Sequence, residues 1–313
     1  MPALVEHEEH FELDRFLGHF IHSATDRSLP VNQTLLNVTQ FKRERWWKDS
    51  WLRFFDYPEK EAVFAFISEE NDNHNQVPYL YIRPPTESYT NDDFREAVRQ
   101  VMEELRVSLE KHGRLLVDTS AAIRDEFTAA ATDLGFTVKK VIDVRAFYMN
   151  NEQLEELKKT KLILPEGFEF TNIDLETEVR LIHESWSQGH ATSIEALRAR
   201  IRDLPSVGVR EVVTKKLVTW EFMSPCVGKF NHLHCDPAYR GHGLGLLTEL
   251  RLAQTCAEKG LRVYKNVQAA NESVINGTSK HSLWTTWKND EGKPIQWTVT
   301  YYDYMNMQSN DML

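Results

Sequence analysis

Apolar and polar residues follow each other along this chain in two rhythms, and the changes of rhythm mark its elements. Over residues 7–23 the apolar positions recur at helical spacing. Residues 61–67 (EAVFAFI) and 78–82 (PYLYI) are short β-branched and aromatic runs on either side of a polar stretch, which predicts a hairpin. Asn91 and Asp92 stand where caps of a long helix belong; it runs to about Lys111 and stops at His112-Gly113. A strand at RLLVDT, a helix over residues 121–134 stopped by Gly135, and a strand at TVKKVIDVRAFYM complete the first half.

The charged run NEQLEELKK from Asn150 and the Pro165-Glu166-Gly167 turn interrupt this pattern and divide the chain into two domains, 1–155 and 156–313. Beyond them the periodicity predicts helices over 175–186 and 193–202 and strands near 207–212 and 217–223. A turn at Ser224-Pro225, a strand over 229–235, a helix over 244–259, a strand over 262–267 and a helix after Asn271 follow. The last β-rich runs are 284–287 and 295–302. Strands alternate with helices over short links, so the fold class is α/β (α+β): mixed sheets with helices on their faces.

Composition narrows the function classes. With 313 residues the chain is long enough for two ordinary domains, and 41% hydrophobic against 27% charged residues is the make-up of a globular protein. Lys and Arg number 37 and Asp and Glu 47, and the net charge of −10 argues against nucleic acid or an anionic membrane as partner. The basic and aromatic run FKRERWWK at 41–48 therefore reads as an amphipathic helix face. No apolar run is long enough to span a bilayer. The acidic beginning of the sequence has the character of neither a secretory signal nor a transit peptide, which points to the cytoplasm. Cys226, Cys235 and Cys256 form no CxxC pair, as expected in a reducing compartment, so the sequons at Asn32, Asn37, Asn271 and Asn276 read as accidental. The 8 tryptophans are expected in cores and interfaces.

Candidate chemistry gathers in residues 232–260, HLHCDPAYRGHGLGLLTELRLAQTCAEKG: a strand, a Pro-marked turn, a glycine loop and an amphipathic helix. Gly241, Gly243 and Gly245 allow positive φ and close approach of backbone to a ligand. The loop and the helix N-terminus present N–H groups that attract a polyphosphate, and Arg240 adds a fixed positive charge. Two rival phosphate motifs fail: Leu246 stands where a dinucleotide fingerprint needs its third glycine, and no Gly-Lys-Ser/Thr follows for a Walker loop.

What remains, Arg240-x-x-Gly243-x-Gly245 after DPAY, with the strand VYKNV and then Asn271 further on, resembles the acyl-CoA pyrophosphate loop of the GNAT superfamily of N-acyltransferases. Four stretches narrow the resemblance to the glycine N-acyltransferases and their relatives: LPEGFEFTNID (164–174), VTWEFM (218–223), PAYRGHGLG, and GLRVYKNVQAANESV (260–274). The resemblance covers about residues 160–290. It implies two tandem GNAT-like domains, each a mixed, largely antiparallel sheet flanked by helices, with the first degenerate and the second binding acyl-CoA. The activity implied is transfer of an acyl group from acyl-CoA, a co-substrate and not a resident cofactor, to the amine of glycine or another small amino acid, in the mitochondrion by family habit. The partners implied are these small molecules, without nucleic acid, membrane or metal.

Carried onto this sequence, the loop amides of Arg240, Gly241, His242, Gly243, Leu244, Gly245 and Leu246 hold the pyrophosphate. The backbone of Leu233, His234 and Cys235 takes the pantetheine, an N–H near Leu233 meets the thioester oxygen, and Asn271 lines the far side. The chemistry departs from the pattern at one point: the family's general base, a Glu eight residues before the loop proline, is replaced by Lys229. Strand alternation puts Lys229, Asn231, Leu233 and Cys235 on the substrate side and turns His232 and His234 away. The candidate catalytic residues are Lys229 and Asn231 from that side, and His234 as the base that its chemistry allows and alternation disfavours. Lys229 reads either as a solvated lysine at a strand start or as a partner for the acceptor's carboxylate. His232 and His234 have no further ligand at metal spacing. Superfamily members protonate the leaving thiolate from a Tyr on the helix after Asn271, where this chain has Thr278 and Ser279. The missing base leaves open a CoA-binding sensor without catalysis; a third possibility keeps the fold and has a protein lysine or polyamine as acceptor, which a strongly acidic acceptor cleft would favour.

Overall fold

The architecture is that of a computed structural model, which describes residues 5–7, 33, 36–37, 40–41, 50–57, 62–69, 77–83, 90–186, 192–224, 228–289 and 291–305. The helix expected at 7–23 falls outside them beyond His7, which ends a strand, and so does most of the basic and aromatic run at 41–48. The first half contributes β1 (Val5–His7), β2 (Ser50–Tyr57), β3 (Ala62–Glu69), β4 (Tyr79–Arg83), α1 (Asn91–Glu104), α2 (Arg106–His112), β5 (Arg114–Ser120), α3 (Ala121–Asp133), β6 (Phe136–Tyr148) and α4 (Asn151–Lys159). The second contributes β7 (Phe168–Thr171), α5 (Val179–Ser185), α6 (Ile194–Asp203), β8 (Ser206–Glu211), β9 (Leu217–Met223), β10 (Phe230–Cys235), α7 (Leu244–Glu258), β11 (Tyr264–Gln268), α8 (Glu272–Lys280), β12 (Thr285–Thr286) and β13 (Trp297–Tyr304).

Local chemistry sets the element ends. The cap of α1 is Thr90, one residue before the expected Asn91 and Asp92: its hydroxyl accepts from the Asp93 amide at 3.2 Å, as a short oxygen side chain on extended backbone does. Gly113 ends α2 in the left-handed region, at φ 64°. A capping box at Asn150 and Gln153 starts α4. The helix expected from residue 175 begins only at Val179, because Asp174 folds the preceding turn by accepting from the Glu176 and Thr177 amides.

All described strands join one sheet in the order β1-β2-β3-β4-β5-β13-β6-β11-β10-β9-β8-β7, with β12 also on β6. The pairs β4/β5 and β10/β11 are parallel and the others antiparallel. The last strand, β13, is inserted between β5 and β6 of the first half, so the two halves share strands. One face of the sheet packs on α1 and α3 through Phe94, Val98, Phe127 and Val117, and on α4 and α7 through Leu157, Leu250, Leu252 and Phe147. The other face, called here the inner face, carries Tyr81, Trp297, Val144 and Trp287 in its middle and Trp220 and Phe222 beneath α5 and α6.

This sheet is strongly curled. Asp118 on β5 and Lys229, just before β10, are separated in the sheet order by β13, β6 and β11, yet their side chains meet at 2.7 Å. Four steps across a flat sheet would put their backbones about 19 Å apart, too far for these two side chains to bridge. The inner face is therefore concave at its centre.

Under α7 lies a second buried ion pair, Lys265 with Glu249, with the Lys265 ammonium 4.5 Å from the centre of the Trp284 ring. Neighbouring Glu221 is held well above the usual carboxylate range by burial and by the Glu249 charge. Removing one partner strands the other charge, so Lys265→Met is expected to destabilise the fold by about 3–5 kcal/mol. The double variant Lys265→Met/Glu249→Leu is expected to recover most of it. Urea unfolding of both variants measures this; equal losses would contradict it.

Candidate active site

The strand pair β10/β11 is in register only at Phe230 and Lys265. Beyond that point the strands diverge, so the backbone of residues 232–235 on the side towards β11 has no strand partner among the described residues. At the mouth of this opening, Asp236 accepts from the Ala238 amide (2.9 Å), forming a single 3-10 turn over Pro237–Tyr239, and Lys216 pairs with Asp236 at 2.6 Å. The chain then passes through Gly241 (φ 84°) and Gly243 (φ 76°), both in the left-handed region that disfavours any Cβ. Space around these two glycines and Gly245 is open, since a Cβ at any of them would meet nothing within 4 Å.

Gly243 is the N-cap of α7 and supplies no side-chain acceptor to the first turn. The first intrahelical bond runs from the Leu247 amide to the Gly243 carbonyl at 3.1 Å, leaving the amides of residues 244–246 pointing out of the helix end. Buried Leu244 packs on Val209 and Val218 and fixes that end against the sheet. Arg240 is exposed, and its Nε donates to the Cys235 carbonyl at 3.1 Å, which ties the loop to the end of β10. The residues expected to form a phosphate cradle, Arg240 to Leu246, are thus gathered at one rim, with Leu233, His234 and Cys235 along the strand that leads to it. Asn271 is the N-cap of α8, its side chain accepting from the Val274 amide at 3.4 Å.

Strand alternation fails inside β10. The pairing with β9 shifts between Asn231 and His234, and His232 sits at φ 63°, so two residues, His232 and Leu233, oppose one residue of β9. Asn231 faces Phe222 and His234 faces Trp220, which puts both on the inner face, while Cys235 opposite Thr219 lies on the other. The expectation that Asn231, Leu233 and Cys235 share a side and that His234 is turned away is corrected: the extra residue inverts the parity after Asn231. Lys229, Asn231 and His234 share the inner face.

His234 stacks on Trp220 with ring centres 4.4 Å apart. Burial, and then the nearby Arg240 charge, hold its pKa below the usual histidine value, so it is neutral at pH 7 with a lone pair to offer. His232 lies between Trp186 and Phe222. Its Nε2 has no hydrogen-bond partner among the described residues, and burial together with His234 pushes its pKa down to about 4. The unfolded chain binds this proton near pH 6.5, so between pH 6.5 and 4 it holds more protons than the folded one. Stability is expected to fall by about 3 kcal/mol across that window through this group. Urea midpoints against pH, compared with His232→Phe, test this; an unchanged slope in the variant would contradict it.

Lys229 is not a solvated lysine. Its side chain is 12% exposed and donates to Asp118 Oδ2 at 2.7 Å, and the other Asp118 oxygen accepts from the Trp297 indole. The backbone beside it is pinned as well: the Asn37 side chain donates to the Gly228 carbonyl (2.5 Å), and the Ser224 amide donates to the Lys229 carbonyl (3.0 Å). A turn and a following strand do not show that a carboxylate from 111 residues away will cover the lysine. On α8, Thr278 is buried and Ser279 is exposed. Among the described residues no three His, Cys, Asp or Glu side chains gather as metal ligands, and no helix is long and apolar enough to cross a membrane.

The fold, a curled mixed sheet with a splayed parallel pair and a left-handed glycine loop before a helix start, is similar to that of GCN5-related N-acetyltransferases, a tandem one among them. A Drosophila protein solved by a structural genomics consortium superposes with a TM-score of 0.73 at 15% identity, over 96% of this chain and 98% of that one. A tandem GNAT protein from the clavulanic acid biosynthesis pathway gives 0.53 at 10% identity, over 96% and 98%. A GCN5-related N-acetyltransferase from Sphaerobacter thermophilus gives 0.50 at 10% identity, over 96% of each chain. At these identities the similarity is one of fold. No family model and no curated protein sequence matches the chain.

Proposed function

We propose that this protein is an acyl-CoA-dependent N-acyltransferase of the glycine N-acyltransferase kind, moving an acyl group to the amine of glycine or another small amino acid. The observation that carries the reading is the β10/β11 splay ending at the Gly241–Gly243 loop and the uncapped start of α7. The loop amides and Arg240 take the diphosphate. The pantetheine arm lies in the splay and hydrogen-bonds to the unpaired edge of residues 232–235. The same feature supports a division into a degenerate domain, 1–155, and an acyl-CoA-binding domain, 156–313: the corresponding parallel pair of the first half, β4/β5, keeps three registered pairs and is not opened in this way.

In this reading the acceptor sits on the inner face. Its nitrogen lone pair attacks the thioester carbonyl, and an amide at the β10 bulge near Leu233 donates to the oxyanion. His234, neutral and on that face, takes the amine proton directly or through one water. Collapse of the tetrahedral intermediate breaks the C–S bond and releases CoA as its thiolate, which takes up a proton. Asn231, beside His234, is placed to hydrogen-bond the acceptor.

The replacement of the family's Glu by a Lys already bonded to Asp118 favours a second reading, a CoA-binding protein without turnover. Release of free thiol from acetyl-, benzoyl- and longer acyl-CoA, measured with and without a panel of amino acids, separates the two. Amine-dependent release is expected. CoA binding without such release would favour the second reading.

A further inference from the structure

The inner face carries a polar arrangement that transfer of the acyl group does not itself require. At the bottom of the concavity, Asp118 from β5 and Trp297 from β13 hold the Lys229 ammonium beside the start of β10. Both Asp118 oxygens are engaged, one by Lys229 and one by the indole, and burial keeps the carboxylate from a ligand's ammonium. The lysine is different. An ammonium has three N–H donors, and among the described residues Lys229 donates to Asp118 alone. Its 12% exposure leaves a way in for a small ligand, while Asp118 at 3% is shielded.

Trp287, whose ring centre lies 5.6 Å from that of Trp297, adds a buried indole N–H without a hydrogen-bond partner among the described residues. The concavity thus holds the spare N–H donors of a lysine, which take an anion, and on the same face, opposite Ala146, an uncharged acceptor without a partner among the described residues, Asn266 Oδ1. Lys229 also lies on the same face as Asn231 and His234, two residues before the first of them. Its position does not depend on the second half alone. Asn37 pins the neighbouring carbonyl and Asp118 the ammonium, and both belong to the first half.

We propose that Lys229, braced by Asp118 and Trp297, is the anchor for the carboxylate of the acceptor, and that the acceptor site is shared between the two halves of the chain. This rests on the acyltransferase reading and deepens it: the acceptor is a small amine bearing a carboxylate, not an alkylamine, a polyamine or a protein lysine. The ligand carboxylate takes N–H donors of Lys229 that Asp118 leaves unused. Asp118 neutralises the lysine when the site is empty and fixes its direction.

The experiment compares glycine with glycinamide, a primary amine of the same size without the carboxylate, as acceptors from acetyl-CoA, with kcat/KM expressed per neutral amine because glycinamide is the less basic of the two. The wild-type protein is expected to prefer glycine by roughly 10- to 100-fold in kcat/KM, the range that charge-assisted hydrogen bonds give. In Lys229→Met that preference is expected to collapse towards unity through a rise in glycine KM, with acetyl-CoA affinity checked by calorimetry as evidence of an intact fold. Lys229→Arg, which keeps the charge, is expected to retain part of it. Equal use of glycine and glycinamide by the wild-type protein would overturn the proposal without any variant. So would a Lys229→Met protein that binds acetyl-CoA and keeps the wild-type preference. A wild-type protein that binds acetyl-CoA and turns over no amine would overturn the acyltransferase reading itself, and this inference with it.

Discussion

Gly243→Glu is expected to lower acetyl-CoA affinity by roughly 100-fold or more. Gly243 caps α7 at φ 76°, where a residue with a Cβ costs about 1–2 kcal/mol. The space around it is open, so the Cβ itself meets no protein atom and the fold can accept the change. The loss comes from two other sources. The backbone relaxes away from the left-handed region and takes the amides of residues 244–246 out of alignment, and a carboxylate is placed where the two phosphates are proposed to lie. Gly243→Asn, uncharged and better tolerated in that region, is expected to keep most of the affinity. Calorimetric titration of both variants tests the pair. Wild-type affinity in Gly243→Glu would mean that the diphosphate is not held at this loop.

The second large effect is expected at His234. His234→Phe keeps an aromatic ring for the stack on Trp220 and removes the nitrogen proposed to take the proton. Positioned proton transfer contributes about 10²–10⁴ in rate, so kcat is expected to fall by that range while acetyl-CoA affinity changes little. The pH profile gives an independent check. Because burial and Arg240 hold the His234 pKa below its usual value, the imidazole stays neutral from pH 8 down past 6.5. The wild-type rate attributable to this base is therefore lost only as pH falls below that, and the variant lacks the limb. A variant with wild-type kcat, or one that retains the acid limb, would remove His234 from the reaction.

The glycine loop was legible in the sequence because its signal is local: Pro237, Arg240 and three glycines in a short span favour a turn and a bare helix start. What was hidden is non-local or irregular. The alternation rule assumes a regular strand, and nothing in HLHC announces that His232, a residue with a Cβ, takes φ 63° and shifts every later side chain to the opposite face. The strand β13 reads as a strand from its own residues, but its insertion between β5 and β6 depends on pairing across more than 150 residues, including Thr298 with Thr119 and Asp143. Within the dense aromatic and basic stretch that precedes it, β2 (SWLRFFDY) was not distinguished as a strand. Asp118 left one faint trace, a lone carboxylate inside the apolar run RLLVDT, which marks a buried charge in need of a partner without naming Lys229.

Whether an acyl-CoA is held at the splay and the loop is read most directly, residue by residue, by amide hydrogen exchange. With saturating acetyl-CoA, the amides of residues 240–246 and the unpaired edge of 232–235 are expected to slow together, with little change over β1 to β3. Unchanged exchange in both segments, in a sample where acetyl-CoA is shown by calorimetry to bind or not to bind at all, would contradict it.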